Sequence, residues 1–169
     1  MSGLYIEIKE KRPTAVFCHG FHEERIEDEK NCYFSDNNGY IYSVAIESSA
    51  HKYMRYYISN SDFNKDGKTI IGNNFIDREK FKRLKIFSDG ISKAGLIPIG
   101  ILINDNNQYE MYIKGNPETI IYFDDKAPLE NTLDNVLTFL KDIKSKNQKI
   151  EDLDYINLRF GKNIFYSNK

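Results

Sequence analysis

Two stretches of helical periodicity divide a chain otherwise patterned in twos, and that division constrains the fold most. After Asp77, a residue suited to capping a helix, apolar side chains recur at Phe81, Leu84, Phe87 and Ile91, and Gly95 ends the run. Its basic residues, Arg78, Lys80, Lys82, Arg83 and Lys85, fall mostly on the other faces. From Pro128, which suits a first helical turn, Leu129, Leu133, Val136, Leu137, Leu140 and Ile143 form a second stripe. Lys141, Lys144, Lys146 and Lys149 gather toward its C-terminal end, where they complement the helix dipole.

Around these stripes the chain alternates or turns. Leu4–Glu10, Ala15–Cys18, Cys32–Ser35, Tyr40–Val44 and Tyr53–Ile58 read as strands before the first helix, with Asp36–Gly39 as a hairpin turn. Ser59–Asn74 is polar and reads as a loop. Ile97–Ile103, Gln108–Lys114 and Thr119–Phe123 follow, joined at Asp105–Asn107 and Gly115–Pro117. Tyr155–Tyr166 reads as strand, Gly-centred turn and strand. Strands, a helix, three strands, a helix and two strands predict an α+β fold, a mostly antiparallel sheet packed against two helices. A final strand followed by a short polar tail reads as a sheet edge, and an edge accepts another protein's strand.

Composition narrows the function. The chain has 169 residues, 40% of them hydrophobic, with 12 Tyr and 11 Phe, enough for one domain with a real core. A formal charge of −1 argues against nucleic acid as a partner, because phosphate binding needs a basic excess or a basic face. No run approaches the roughly 20 apolar residues of a membrane span. Met1-Ser-Gly opens onto a strand-like segment with no signal peptide. Taken literally this reads as cytoplasmic; it equally fits a piece cut from a longer, anchored protein. Cys18 and Cys32 flank a charged loop, with 13 residues between them. They read as free thiols in a reducing compartment or as a disulfide in an oxidising one.

Candidate chemistry is sparse. Asp62-Phe-Asn64-Lys-Asp66-Gly67 matches the first half of a calcium loop, but the closing position falls on Asn73 rather than Glu, so an Asx-rich turn is expected. Gly67-Lys68-Thr69 lacks the earlier glycine of a P-loop, since Asp62 stands there. Cys18, His19, His22, Glu23 and Cys32 have zinc-ligand chemistry in no familiar spacing. Nucleophilic catalysis would need either cysteine beside His19, His22 or His51, and no elbow such as G-x-S-x-G is present. Glu23-Glu24 and Asp124-Asp125 are adjacent carboxylates, and sequence neighbours usually point apart. Tyr53, Tyr56 and Tyr57 fit core and cross-strand packing better than base stacking. The expectation is no enzyme, no metal and no cofactor.

Two sequence ends carry a resemblance. Leu4–Glu10, Lys11-Arg12-Pro13-Thr14-Ala15 and the aromatic Phe17 resemble the segment that leaves the POTRA domain of FtsQ/DivIB cell-division proteins, an alternating strand followed by Glu-Arg-x-Pro-x-Ala. Tyr33-Phe-Ser-Asp36-Asn-Asn-Gly39-Tyr-Ile-Tyr42 looks like that family's next strand, Asp-x-x-Gly turn and strand. Ile156-Asn157-Leu158-Arg159-Phe160 resembles its closing signature, in which Asp usually stands at the place of Asn157.

The resemblance implies a single non-enzymatic β domain over residues 1–169, with 1–14 the connecting strand from a preceding POTRA domain. It implies an extracytoplasmic place at the bacterial cell membrane, held by a single-pass anchor outside this chain. It implies a divisome scaffold for septation that recruits FtsB/FtsL-like partners by β-strand addition at the C-terminal edge. By position, Arg159, Phe160, Gly161, Ile164, Phe165 and Tyr166 would lie at that interface, with Arg159 in support. Asn157 removes a charge that would orient Arg159. The competing readings are an exported adhesion or pilus-associated module, and a small-ligand or enzymatic α+β domain.

Overall fold

Among the described residues, turns of a few residues join most antiparallel neighbours, and two helices each carry the chain across to a parallel one, as such pairing requires. The computed structural model describes residues 4–7, 10–20, 32–46, 52–58, 70–115 and 118–169. Among them are nine strands: β1 (Ala15–His19), β2 (Cys32–Ser35), β3 (Ile41–Val44), β4 (Met54–Ile58), β5 (Pro98–Asn104), β6 (Gln108–Ile113), β7 (Thr119–Asp124), β8 (Leu153–Phe160) and β9 (Asn163–Asn168). They form one sheet in the order β3-β2-β1-β4-β5-β6-β7-β8-β9. Helix α1 (Arg78–Lys93) bridges the parallel pair β4 and β5, and α2 (Leu129–Ser145) bridges the parallel pair β7 and β8. Parallel pairing also joins β1 to β4, and the remaining neighbours are antiparallel. The expected α+β class, with a mostly antiparallel sheet and two helices, is what forms.

The helical stripes bury as their spacing predicts. Phe81, Leu84, Phe87 and Ile91 of α1 join Leu129, Val136 and Ile143 of α2 in one core against the sheet, so both helices cover the same face. That core also takes Phe17, Tyr56, Ile101, Met111, Ile121 and Ile156, alternate residues of their strands. A second buried cluster lies on the opposite face: Val16, Cys18, Cys32, Phe34, Ala45, Tyr57, Leu102 and Tyr112. Tyr53 meets Phe34 edge-on at 5.7 Å, so the three tyrosines near β4 do pack as core and cross-strand residues. Asp77 caps α1, its side chain accepting from the Lys80 N–H at 3.0 Å. Helix α1 approaches α2 closely at Gly90, where a Cβ would fall 2.5 Å from Leu133 Cδ2. Pro128 stands at the N-cap of α2, one residue outside its expected place in the first turn.

One expected strand, Leu4–Glu10, does not form among the described residues. Residues 4–7 and 10 have no strand partner among the described residues, and Leu4, Tyr5 and Ile6 are 88%, 89% and 68% exposed. Alternation makes a segment fit for a sheet, but a strand exists only where a neighbour takes its backbone hydrogen bonds. From Lys11 onward the chain is held. Lys11 Nζ donates to Asp36 Oδ2 at 2.7 Å and sits 3.8 Å over the Tyr40 ring, and the Thr14 N–H donates to the Ser35 carbonyl at 2.8 Å.

Asp36 organises the β2–β3 turn. Its Oδ1 accepts the N–H groups of Asn38 at 2.9 Å and Tyr40 at 3.2 Å. Partial burial raises its pKa, but Lys11 and these two amides outweigh that and hold the carboxyl below the ordinary aspartate value. A depressed carboxylate contributes stability above its unfolded pKa and loses it as pH falls through the folded value. Asp36→Ala is therefore expected to lower stability at pH 7 by about 1 kcal/mol. The gap between variant and parent, read from urea unfolding curves, should close as pH drops below about 3.9. A gap independent of pH would refute this role.

Candidate interaction edge

The last hairpin builds the candidate site. Strand β8 ends at Phe160, Gly161 turns with φ +66°, and β9 returns along β8 with Phe160 opposite Asn163, Asn157 opposite Phe165 and Ile156 opposite Tyr166. A register shift between Asn157 and Phe160 distorts the pairing beside the turn. Asn135 of α2 steadies that turn, its Nδ2 donating to the Gly161 carbonyl at 3.3 Å. At the far end, the Lys169 N–H donates to the Asp152 carbonyl at 3.0 Å and Gln148 Nε2 to Asn168 Oδ1 at 2.9 Å. Strand β9 is thus pinned at both ends, while among the described residues no strand pairs with its outer side.

The side chains predicted for this interface divide between two faces. Ile164 packs partly against the helix-side core, and Tyr166 leans on Phe139 of α2 with ring centres 5.1 Å apart. Phe165 points by strand alternation to the face opposite the two described helices and meets Phe160 edge-on at 5.1 Å. Phe160, Phe165 and Tyr166 are 56%, 53% and 44% exposed. The pair Phe160–Phe165 is therefore an exposed aromatic corner beside an open edge. Ile164 reaches the outer side only through its backbone.

Arg159 stands in a fixed pose on the sheet face opposite the two described helices. Its Nε donates to Asn157 Oδ1 at 3.1 Å, its own N–H reaches the same oxygen at 3.2 Å, and the guanidinium lies 5.2 Å over the Tyr122 ring. The amide of Asn157 orients Arg159 without the charge an Asp would supply. Burial first, then the carboxylates of Glu110 and Asp154, push the Tyr122 hydroxyl above its ordinary pKa, so the ring under Arg159 stays neutral. Tyr122, Asn135 and Phe139 support this corner and escaped the sequence reading; each lies on a different element from the hairpin, so no local spacing links them to it.

The opposite edge of the sheet differs. Strand β3 has four residues, and its start is covered by a bridge between Tyr40 and Asn74, with the Ile41 N–H donating to the Asn73 carbonyl at 2.9 Å. Short, covered edges resist pairing with another chain.

The remaining sequence candidates do not gather. Cys18 and Cys32 are directly paired residues of β1 and β2 and form a disulfide. With both sulfurs bonded to each other, neither is a zinc thiolate or a nucleophile. His22, Glu23, Glu24, His51 and Asp62–Thr69 lie outside the described residues. Asp124 is buried, whereas Asp125 accepts from the Tyr109 hydroxyl at 3.4 Å, so these adjacent carboxylates do part. Two lysines of α1 have partners, Lys85 with Asp89 of the same helix at 2.9 Å and Lys80 with Asn107 of the β5–β6 turn at 2.7 Å. Among the described residues no three His, Cys, Asp or Glu side chains converge on a metal-sized site, and no helix is long and apolar enough to cross a membrane. No protein-family model and no curated protein matches this chain.

Proposed function

We propose that this chain is an FtsQ/DivIB-like β domain, a non-enzymatic scaffold that recruits FtsB/FtsL-like division partners by adding a partner strand to β9. The observation that carries the reading is the open β9 edge flanked by the exposed Phe160–Phe165 pair. An incoming strand would satisfy the outward N–H and C=O groups of β9, while the aromatic corner supplies selectivity. Aromatic anchors of this kind dominate binding at interfaces. The Arg-Pro-Thr-Ala segment leading into β1, the Asp36 turn and the Leu158-Arg159-Phe160 ending follow the order the resemblance implies. The Cys18–Cys32 disulfide supports an extracytoplasmic place, because disulfides persist in oxidising compartments. In a longer protein, residues 1–14 would connect to a preceding domain, which would offer Leu4–Glu7 the strand neighbour it lacks here.

The test is binding of the purified ectodomain of the host's FtsB-like protein, measured by calorimetric titration. Phe160→Asp and Ile164→Pro are each expected to weaken it by at least about 30-fold, the scale of a hot-spot loss of 2 kcal/mol. Their thermal melts should remain cooperative. Parental affinity in both variants would remove β9 from consideration as the docking edge.

A further inference from the structure

A basin opens where the end of β7, the first turns of α2 and the β8–β9 turn meet. Its volume is about 500 Å³, within the range of small-molecule sites. Charges of both signs line it: Asp124 and Asp134, with Lys126, Arg159 and Lys162. Asp124 is the buried member, 6% exposed. Its Oδ1 accepts the Lys126 N–H at 3.2 Å. Its Oδ2 accepts no hydrogen bond among the described residues, and the nearest cation, Lys126 Nζ, stands 3.5 Å away on a side chain that is 78% exposed. A pair with so solvated a lysine contributes little, and a buried carboxylate oxygen gains strongly from a charged donor.

The mixture of charges selects the ligand class. A polyanion meets two carboxylates, and a simple cation meets three basic side chains. A molecule with an ammonium at one end and a carboxylate at the other satisfies both groups at once. We propose that this basin binds a small zwitterion, a free amino acid or short peptide with unblocked ends. Its ammonium donates to Asp124 Oδ2. Its carboxylate is received by Lys162 and by Lys126, which Asp124 then no longer engages. Asn131, also on the basin wall, offers an amide to the ligand's peptide group. The site stands independently of strand addition at β9, although Arg159 and the Gly161 turn border both.

The probe is glycylglycine, titrated into the whole chain and followed by amide chemical shifts. Saturable shifts around Asp124, Asn131 and Lys162 are expected. N-acetylation of the dipeptide, which removes the ammonium, and esterification, which removes the carboxylate, should each abolish saturation. Asp124→Asn and Lys162→Glu should each weaken binding about tenfold, a difference of roughly 1.4 kcal/mol. Lys162 is exposed in the turn, so its variant reports binding even if the Asp124 variant folds poorly. No saturable binding of glycylglycine, equal binding of its N-acetylated form, or parental affinity in Lys162→Glu would each overturn the proposal.

Discussion

Phe17→Ala is expected to destabilise the domain by about 3–5 kcal/mol, the largest effect of any single change considered, and in many small domains that is most of the total. Phe17 is fully buried at the centre of β1, between Tyr33 of β2 and Tyr56 of β4 in register. Its ring lies 5.2 Å from Tyr56, 4.9 Å from Phe75 and 5.4 Å from Phe81. Truncation removes the transfer free energy of the ring and leaves a cavity walled by three other aromatics, which cannot collapse without leaving their rotamers. Urea unfolding should show a lower midpoint with an unchanged slope. Phe17→Leu, which keeps most of the volume, should lose far less. A loss below about 1 kcal/mol for the alanine variant would mean that this aromatic cluster does not hold β1 in place.

Opening the Cys18–Cys32 disulfide is expected to lower stability by about 3 kcal/mol, the loop-closure value for a loop of this size. The bridge links directly opposed residues of β1 and β2 and lies in the buried cluster on the face opposite the two described helices. It therefore restricts the unfolded chain and also holds the β1–β2 register at the mouth of the charged loop. Urea curves with and without dithiothreitol should separate by that amount, and the Cys18→Ser/Cys32→Ser double variant should follow the reduced curve. Hydrogen exchange should quicken first in β2 and β3, which among the described strands reach the rest of the sheet through β1. Superimposable oxidised and reduced curves would rule out a stabilising role. Binding at β9 should survive reduction wherever the domain stays folded, because five strands, β4 to β8, separate β1 from that edge in the sheet order.

Much of the architecture was legible because it is local. Phe81, Leu84, Phe87 and Ile91 announce a helix by spacing alone, and Asp77 and Gly95 mark its ends with chemistry that acts within one turn. The Asp105–Asn107 turn was equally readable, since Asn106 and Asn107 adopt the left-handed backbone that Asn tolerates, at φ 61° and 57°. Leu4–Glu10 shows where such reasoning stops. Its alternation is as regular as that of β6, but Gln108–Ile113 lies between two neighbours and the N-terminal segment has none among the described residues. The candidate edge was half legible. Phe160, Phe165 and Tyr166 stand on a hairpin that spacing predicts, yet spacing did not separate the outward Phe165 from Tyr166, which rests on Phe139.

The sequence by itself determined most of the elements, their order, the hairpin turns and the two stripes that oblige both helices to find a sheet, because each depends on residues a few positions apart. Tertiary structure decided the rest. It placed β4 beside β1 and β5, sent both described helices to one face, brought Cys18 against Cys32, and left β9 rather than β3 as the open edge among the described residues. Those outcomes rest on pairings between distant segments. They are settled by where buried side chains fit and where every backbone N–H and C=O finds a partner, and no local period encodes either.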